Sequence, residues 1–343
     1  PGEALACPSQ GTAKGISRAE TVKTFSCRGT FPLCVAPVAA SLGLTVTSRL
    51  RRVCCRASRG TVHTWRGPPR WSAASPTQSR TRAASMTEYA TLLTPEKLNS
   101  FASAALRAAL SAGDVISKAI KEGKTIDTKK GDADLVTETD KACEKLIFEQ
   151  LRESFPDHCF IGEEDSSEKG ATPELTDAPT WMVDPVDGTT NFVHGYPFVC
   201  VCVGLTINKK PVVGVVHNPI LKETFRGTYG LGAFLNDEPI KVSDEARLSK
   251  SVIATEIGVA RDTAAMDAVM GRFRAVCSGA RSIRCCGSCA MNMCGVAMGR
   301  LDGFWEVDFG GCWDTCAAAV VVTEAGGEVL DPTVRTPPTG RSS

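Results

Sequence analysis

From Thr94 onward the apolar positions follow two rhythms. Leu98, Phe101, Ala105, Ala109, Val115 and Ile116 recur at helical spacing, which predicts an amphipathic helix ending near Ile120. Thr94 stands where a cap belongs, Pro95 at the first helical position and Glu96 in the first turn, the polarity expected of a helix start. Gly113 is its weak point. Residues 129–132 read as a hairpin tip. A second helix follows residues 135–140, with Ala142, Cys143, Leu146, Ile147 and Leu151 on its buried face and Pro156 as its stop.

Past Cys159 the rhythm changes to short, β-branched-rich runs. Residues 181–184, 199–207, 212–217, 223–226 and 232–235 predict strands of a largely antiparallel sheet, punctuated by Gly, Asn and Pro. After Ser249 the types mix: strands at 251–255, 302–306 and 328–330, helices at 263–276, 288–298 and 313–325. That order predicts layered α+β packing without an internal repeat.

Charge divides the chain at Met86, its first methionine. Residues 1–85 carry thirteen Lys/Arg and two Glu, out of 39 basic and 38 acidic residues in all. The body therefore holds 26 basic and 36 acidic residues. A basic, Ser-rich leader without periodicity reads as an organelle transit peptide, or as sequence translated ahead of the natural start, since the chain begins with Pro1. Both readings leave residues 1–85 outside the fold. The first implies a plastid or mitochondrion, the second the cytoplasm, which is the expected location. An acidic body argues against nucleic acid as a partner. No apolar run approaches the roughly 18–20 residues of a membrane span. Eleven of the sixteen cysteines lie in the body, mostly in apolar runs, as small core residues of a reducing compartment do. The segment Cys285-Cys286-Gly287-Ser288-Cys289 invites a zinc reading, but no second pair completes four ligands.

The chemistry concentrates in three segments. Residues 181–192 (WMVDPVDGTTNF) end an apolar run with Asp184 and Asp187 on a turn shaped by Pro185 and Gly188. Residues 160–165 (FIGEED) place acids after a short strand, and residues 312–327 (CWDTCAAAVVVTEAGG) set Asp314 at the mouth of an apolar helix. Carboxylates with a free turn beside them suit Mg²⁺ shared with a substrate phosphate, and N–H groups opening a helix suit that phosphate. Asp140 has an ordinary reading as the cap of the second helix, Asp314 as a favourable charge at a helix start and Lys129 as a solvated turn lysine.

These segments carry a resemblance. The chain resembles the inositol monophosphatase family of Mg²⁺-dependent, lithium-sensitive phosphatases, whose DPxDGTxNF and WDxxAxxxxxxEAGG signatures appear at 184–192 and 313–327 with GEE at 162–164. The similarity spans 94–332. It implies the αβαβα sandwich of the inositol monophosphatase and sugar phosphatase type over a domain at 86–333. Residues 334–343 depart from the family, whose members continue with further strands and a helix.

The resemblance also implies roles. Glu163, Asp184 and the Val186 carbonyl would hold one Mg²⁺, and Asp184, Asp187 and Asp314 a second, activating water in a two- or three-metal site. Thr189 would partner the attacking water with Asp140 as its acceptor, and Glu163 would orient that water. Gly188 and Thr189 would seat the phosphate, while Glu306, Gly287 and Ser288 would line the hydroxyl pocket and Lys129 would sit on a nearby loop. Asp308-Phe309-Gly310-Gly311 is one residue longer than in the animal enzymes and lacks their His before Cys-Trp-Asp, a spacing like that of the plant and bacterial branches. myo-Inositol 1-phosphate is the expected substrate, with L-galactose 1-phosphate and histidinol phosphate as alternatives. A catalytically impaired metal- or phosphate-binding regulator and a fructose-1,6-bisphosphatase-like enzyme are the rivals. The expected partners are a small phosphate monoester and a second copy of the chain, with neither nucleic acid nor membrane.

Overall fold

The computed structural model describes residues 33–37, 93–122, 126–131, 134–307 and 310–330, all belonging to one unit that runs from Phe31 to Ser343. The first of them form strand β1 (Leu33–Pro37). At Thr94 the expected cap forms, its hydroxyl accepting Lys97 N–H at 3.4 Å, and Pro95 opens helix α1 (Pro95–Ala119). Leu98, Phe101, Ala105, Ala109 and Ile116 are buried as the spacing predicts. Gly113 is no weak point. It lies on the buried face, where a Cβ would stand 2.4 Å from the His217 ring.

Strands β2 (Ile126–Gly131) and β3 (Asp134–Thr137) pair antiparallel. Residues 129–131 therefore belong to the first strand rather than to the hairpin tip. Helix α2 (Glu138–Ser154) follows. Thr137 caps it, and Asp140 takes the third helical position of a capping box, accepting Thr137 N–H at 2.9 Å. Cys143, Ile147 and Leu151 are buried, but Ala142 is exposed and Leu146 half-buried; Glu144 and Phe148 complete the inner face instead. The stripe is thus rotated from the predicted one, because a carboxylate occupies a core position.

Seven strands form the main sheet: β4 (Cys159–Gly162), β5 (Thr180–Asp187), β6 (Cys200–Ile207), β7 (Lys210–Asn218), β8 (Glu223–Thr228), β9 (Gly232–Leu235) and β10 (Glu238–Pro239). They lie in order β10-β9-β8-β7-β6-β5-β4, antiparallel except for the β4–β5 pair. Helices α3 (Glu163–Lys169) and α4 (Thr189–Val193) are short pieces at strand ends. The remaining elements are β11 (Val252–Thr255), α5 (Thr263–Cys277), β12 (Ser282–Arg284), α6 (Cys289–Ala297), β13 (Gly303–Glu306), α7 (Cys312–Glu324) and β14 (Gly327–Leu330). The second sheet runs β12-β11-β13-β1-β14, with β11 parallel to both its neighbours and β1 antiparallel to β13 and β14. Strand β1 comes from the stretch read as a leader, so that stretch is not wholly outside the fold. The rest of the expected leader and the tail at 334–343 lie outside the described residues.

Helices α1 and α2 cover one face of the main sheet, α6 and α7 fill the space between the sheets, and α5 packs on the second sheet with Phe273 against Trp305. The result is the αβαβα sandwich. No helix among the described residues is long and apolar enough to cross a membrane.

A row of glycines seats α7. Gly204, Gly214 and Gly227 are register neighbours on β6, β7 and β8. A Cβ on them would approach Cys316 Sγ to 2.6 Å, Ala317 O to 2.0 Å and Val321 N to 2.7 Å respectively. The helix backbone thus rests directly on the sheet, which fixes where its N-terminus and Asp314 point. Gly214→Ala should force these layers apart and destabilise the protein by about 1–3 kcal/mol, the usual cost of overpacking. Urea unfolding of the variant gives that number.

Candidate active site and metal centre

The acids converge because strand ends converge. Parallel pairing of β4 with β5 sets Gly162 beside Val183, so the next residues, Glu163 and Asp184, emerge together. In the second sheet Thr255 pairs with Trp305, so Glu256 and Glu306 follow at neighbouring strand ends. Crevices at the carboxyl ends of parallel strands are the usual place for ligands in such sheets.

A bulge aims the two aspartates. Opposite β6, Asp184 pairs with Cys202 and Asp187 with Cys200, three steps against two. Residues three apart on a regular strand face opposite sides; the extra residue restores one common face. Pro185 has no N–H for the ladder to lose, and Val186 N–H closes the bulge on Asp184 Oδ1 at 2.9 Å. Gly188 then turns the chain at φ +90°, where a Cβ would meet Phe198 O at 2.9 Å and Gly287 O at 3.0 Å.

Asp187 is seated on the start of α6. It accepts from Ser288 Oγ at 2.7 Å, Ala290 N at 2.7 Å and Cys289 N at 3.3 Å. The preceding loop is pinned from both sides. Asn191 Nδ2 donates to Cys286 O and Phe198 O, each at 2.7 Å, while Glu256 accepts Cys286 N at 2.9 Å, Gly287 N at 2.8 Å and Asn292 Nδ2 at 2.7 Å. Gly287 and Ser288 are thereby held at the site. Cys285, from the segment that invited a zinc reading, donates its thiol to Thr255 O at 2.9 Å.

Asp314 occupies the first turn of α7 and accepts Gly311 N–H at 3.2 Å. It is 8% exposed, as is Asp187, and Asp184 is 2% exposed; carboxylates this buried are costly when ionised. Burial, then the charges of Glu163, Asp187 and Asp314, push Asp184 well above the carboxylate range. Burial, then Glu163, Asp187 and Glu306, do the same to Asp314. Burial lifts Asp187 to about 6, although its donors Ser288, Ala290 and Cys289, with the Cys200 thiol at 3.6 Å, pull the other way. Burial, followed by the charge of Glu256, raises Glu306 to about 8, and its Oε2 has no hydrogen-bond partner. Buried oxygens that repel one another fit hard divalent cations, whose charge offsets that repulsion.

Thr189 Oγ1 lies 3.2 Å from Asp140 Oδ1 and 3.1 Å from Val186 O, acceptors for one hydroxyl hydrogen. Asp140 also accepts from the Thr137 hydroxyl. Its capping and relay geometries coexist, one on each carboxylate oxygen.

These groups line a cleft of about 610 Å³, bounded by Glu163, Asp184, Val186, Asp187, Gly188, Thr189, Gly287, Ser288, Glu306 and Asp314. Asp140 stands behind Thr189. Lys129 falls on β2, and its side chain lies outside the described residues. A second hollow of about 480 Å³ beside Arg107 and Glu153 is lined by none of the acids of this cleft. Three contributors escaped the sequence reading: Glu256 and the rim of Tyr196, Ile257, Val259 and Arg261, which line the cleft, and Glu144, which stands behind it and accepts the Glu164 and Asp165 amides. Glu256 was detectable as an acid directly after a strand, the pattern that exposed Glu163.

Solved structures share the sandwich. The extragenic suppressor protein suhB from Bartonella henselae superposes with a TM-score of 0.59 at 35% identity, over 65% of this chain and 84% of that one. The inositol monophosphatase from Anabaena gives 0.55 at 35% identity, over 67% and 82%. With acids gathered where its layers meet, the chain is by class a metal-dependent phosphatase. The model described as the inositol monophosphatase family matches residues 97–342, running through the tail that the sequence set apart. "Inositol monophosphatase 2" of Solanum lycopersicum is 57% identical over 235 residues, 68% of this chain and 88% of that protein. The chain therefore belongs to the inositol monophosphatase family and is a phosphoric monoester hydrolase, an inositol-phosphate phosphatase.

Proposed function

We propose that the chain hydrolyses myo-inositol 1-phosphate to inositol and phosphate with Mg²⁺ as its cofactor. One observation carries the reading: Glu163, Asp184, Asp187 and Asp314, from three separate segments of the chain, line one cleft. These four side chains and the Val186 carbonyl would hold the metal. When bound, Mg²⁺ supplies charge neutralisation at the phosphoryl oxygens and lowers the pKa of water.

The chain's own residues do the rest. Thr189, donating its hydrogen to Asp140, leaves its oxygen lone pairs to accept from the attacking water, and Asp140 takes up the positive charge that passes along the relay. The turn at Gly188 and Thr189 seats the phosphate. Glu306 presents its unpartnered oxygen to a ring hydroxyl, beside Gly287 and Ser288. Lithium inhibition and a homodimer belong to the same proposal, as does the cytoplasmic location.

Phosphate release from a panel of monoesters, with Mg²⁺, with chelator and with Li⁺ added, tests this. Mg²⁺-dependent, Li⁺-sensitive turnover of inositol 1-phosphate above L-galactose 1-phosphate, histidinol phosphate and fructose 1,6-bisphosphate is expected. Phosphate release undiminished by chelator, or none from any ester, overturns it. Glu306→Gln should raise KM for inositol 1-phosphate about tenfold, the worth of one well-made hydrogen bond, and leave KM for phenyl phosphate unchanged. Steady-state kinetics on the two esters separates these effects.

A further inference from the structure

Glu163 begins a helix of seven residues, too short to hold its own position. Gly162 precedes it and offers no side-chain cap. Two of the amides that such a start leaves bare are taken by one distant side chain. Glu164 N donates to Glu144 Oε2 at 2.9 Å and Asp165 N to Glu144 Oε1 at 2.8 Å. Glu144 is buried in α2, one turn after Asp140, and residues four apart lie on one helix face. Gly162 makes room for the clamp: a Cβ there would stand 2.2 Å from Glu144 Oε2 and 2.8 Å from the Phe148 ring.

We infer that Glu144 is a positioning residue of the metal centre: gripping the start of α3 with both carboxylate oxygens, it fixes Glu163 beside Asp184. Helix α2 then holds two working parts at once, the Thr189 turn through Asp140 and the Glu163 helix through Glu144. The inference rests on the metal reading above. A carboxylate meets the geometry because it presents two acceptors side by side. Glutamine presents one, and turns its NH₂ against the other amide. A merely structural Glu144 would affect the stability of the fold and leave metal affinity alone.

Titration calorimetry of Mg²⁺ into metal-free wild type, Glu144→Gln, Glu144→Asp and Asp184→Asn tests the assignment. Glu144→Gln should weaken binding roughly 10- to 100-fold, the range for groups that orient metal ligands, and raised Mg²⁺ should restore most of kcat. Glu144→Asp, which keeps the charge on a shorter arm, should fall between glutamine and wild type. Hydrogen exchange on the wild type needs no variant to fold: the Glu164 and Asp165 amides should exchange slowly. Fast exchange there, or unchanged Mg²⁺ affinity in Glu144→Gln beside lost binding in Asp184→Asn, overturns the role of Glu144. Unchanged affinity in Asp184→Asn overturns the metal reading itself, and this inference with it.

Discussion

Asp184→Asn should lower kcat/KM roughly 10³-fold, the equivalent of about 4 kcal/mol of transition-state stabilisation, while making the metal-free protein more stable. The two signs come from one cause. Asparagine has nearly the shape of aspartate and keeps an oxygen for Val186 N–H, so the bulge that aims the site survives. It removes a charge that burial and three neighbouring carboxylates make unfavourable. Loss of activity with gain of stability separates a lost metal ligand from a damaged fold, which would lose both. Phosphate release with saturating Mg²⁺ and thermal unfolding in chelator measure the two effects. Activity within tenfold of wild type would remove Asp184 from the site.

The second large effect is on stability against pH. Asp187 ionises at about 6 in the folded chain instead of the ordinary 3.8, and Asp184 and Asp314 move in the same direction. The folded state therefore binds more protons than the unfolded one. For acids with raised values the contribution is complete below the unfolded value and is lost as pH rises through the folded one. For Asp187 alone, 2.2 units correspond to on the order of 3 kcal/mol. Metal-free protein should thus lose stability as pH rises from about 4 to about 6, with Asp184 and Asp314 carrying the loss higher, and Mg²⁺ should restore it above that range by binding only the folded state. Urea unfolding with and without chelator shows this directly. Asp187→Asn should flatten the metal-free curve, and a curve equally steep in that variant would contradict Asp187 as the cause.

The sequence made much of this visible, for a physical reason. Asp184, Pro185, Asp187 and Gly188 occupy a turn whose demands are local, so spacing alone exposes them. Strands β5 to β9 were readable from β-branched runs, and α1 from its stripe. What stayed hidden depends on distant partners. Glu144 looks like a surface acid until α3 is seen to start on it. Glu256 acquires its role only when the loop after β12 presents the Cys286 and Gly287 amides to it. Asp140 reads as a cap residue, but the cap is Thr137, and the second carboxylate oxygen of Asp140 accepts from Thr189, 49 residues further on. Gly113 looks like a flaw in a helix because the His217 ring that needs its space lies on another element. Strand β1 had no signal, since five residues without alternation become a strand only between two waiting partners.

The proposed chemistry depends on Glu163, Asp184, Asp187 and Asp314 surrounding metal. Crystals soaked in Mn²⁺, which substitutes for Mg²⁺ among oxygen ligands, give an anomalous signal that locates the ion without assumption. The predicted result is at least one peak inside the cleft, about 2.1 Å from oxygens of Asp184 and its neighbours, as an octahedral oxygen site requires. A cleft free of anomalous density, with Glu163, Asp187 and Asp314 turned away from one another, would contradict it.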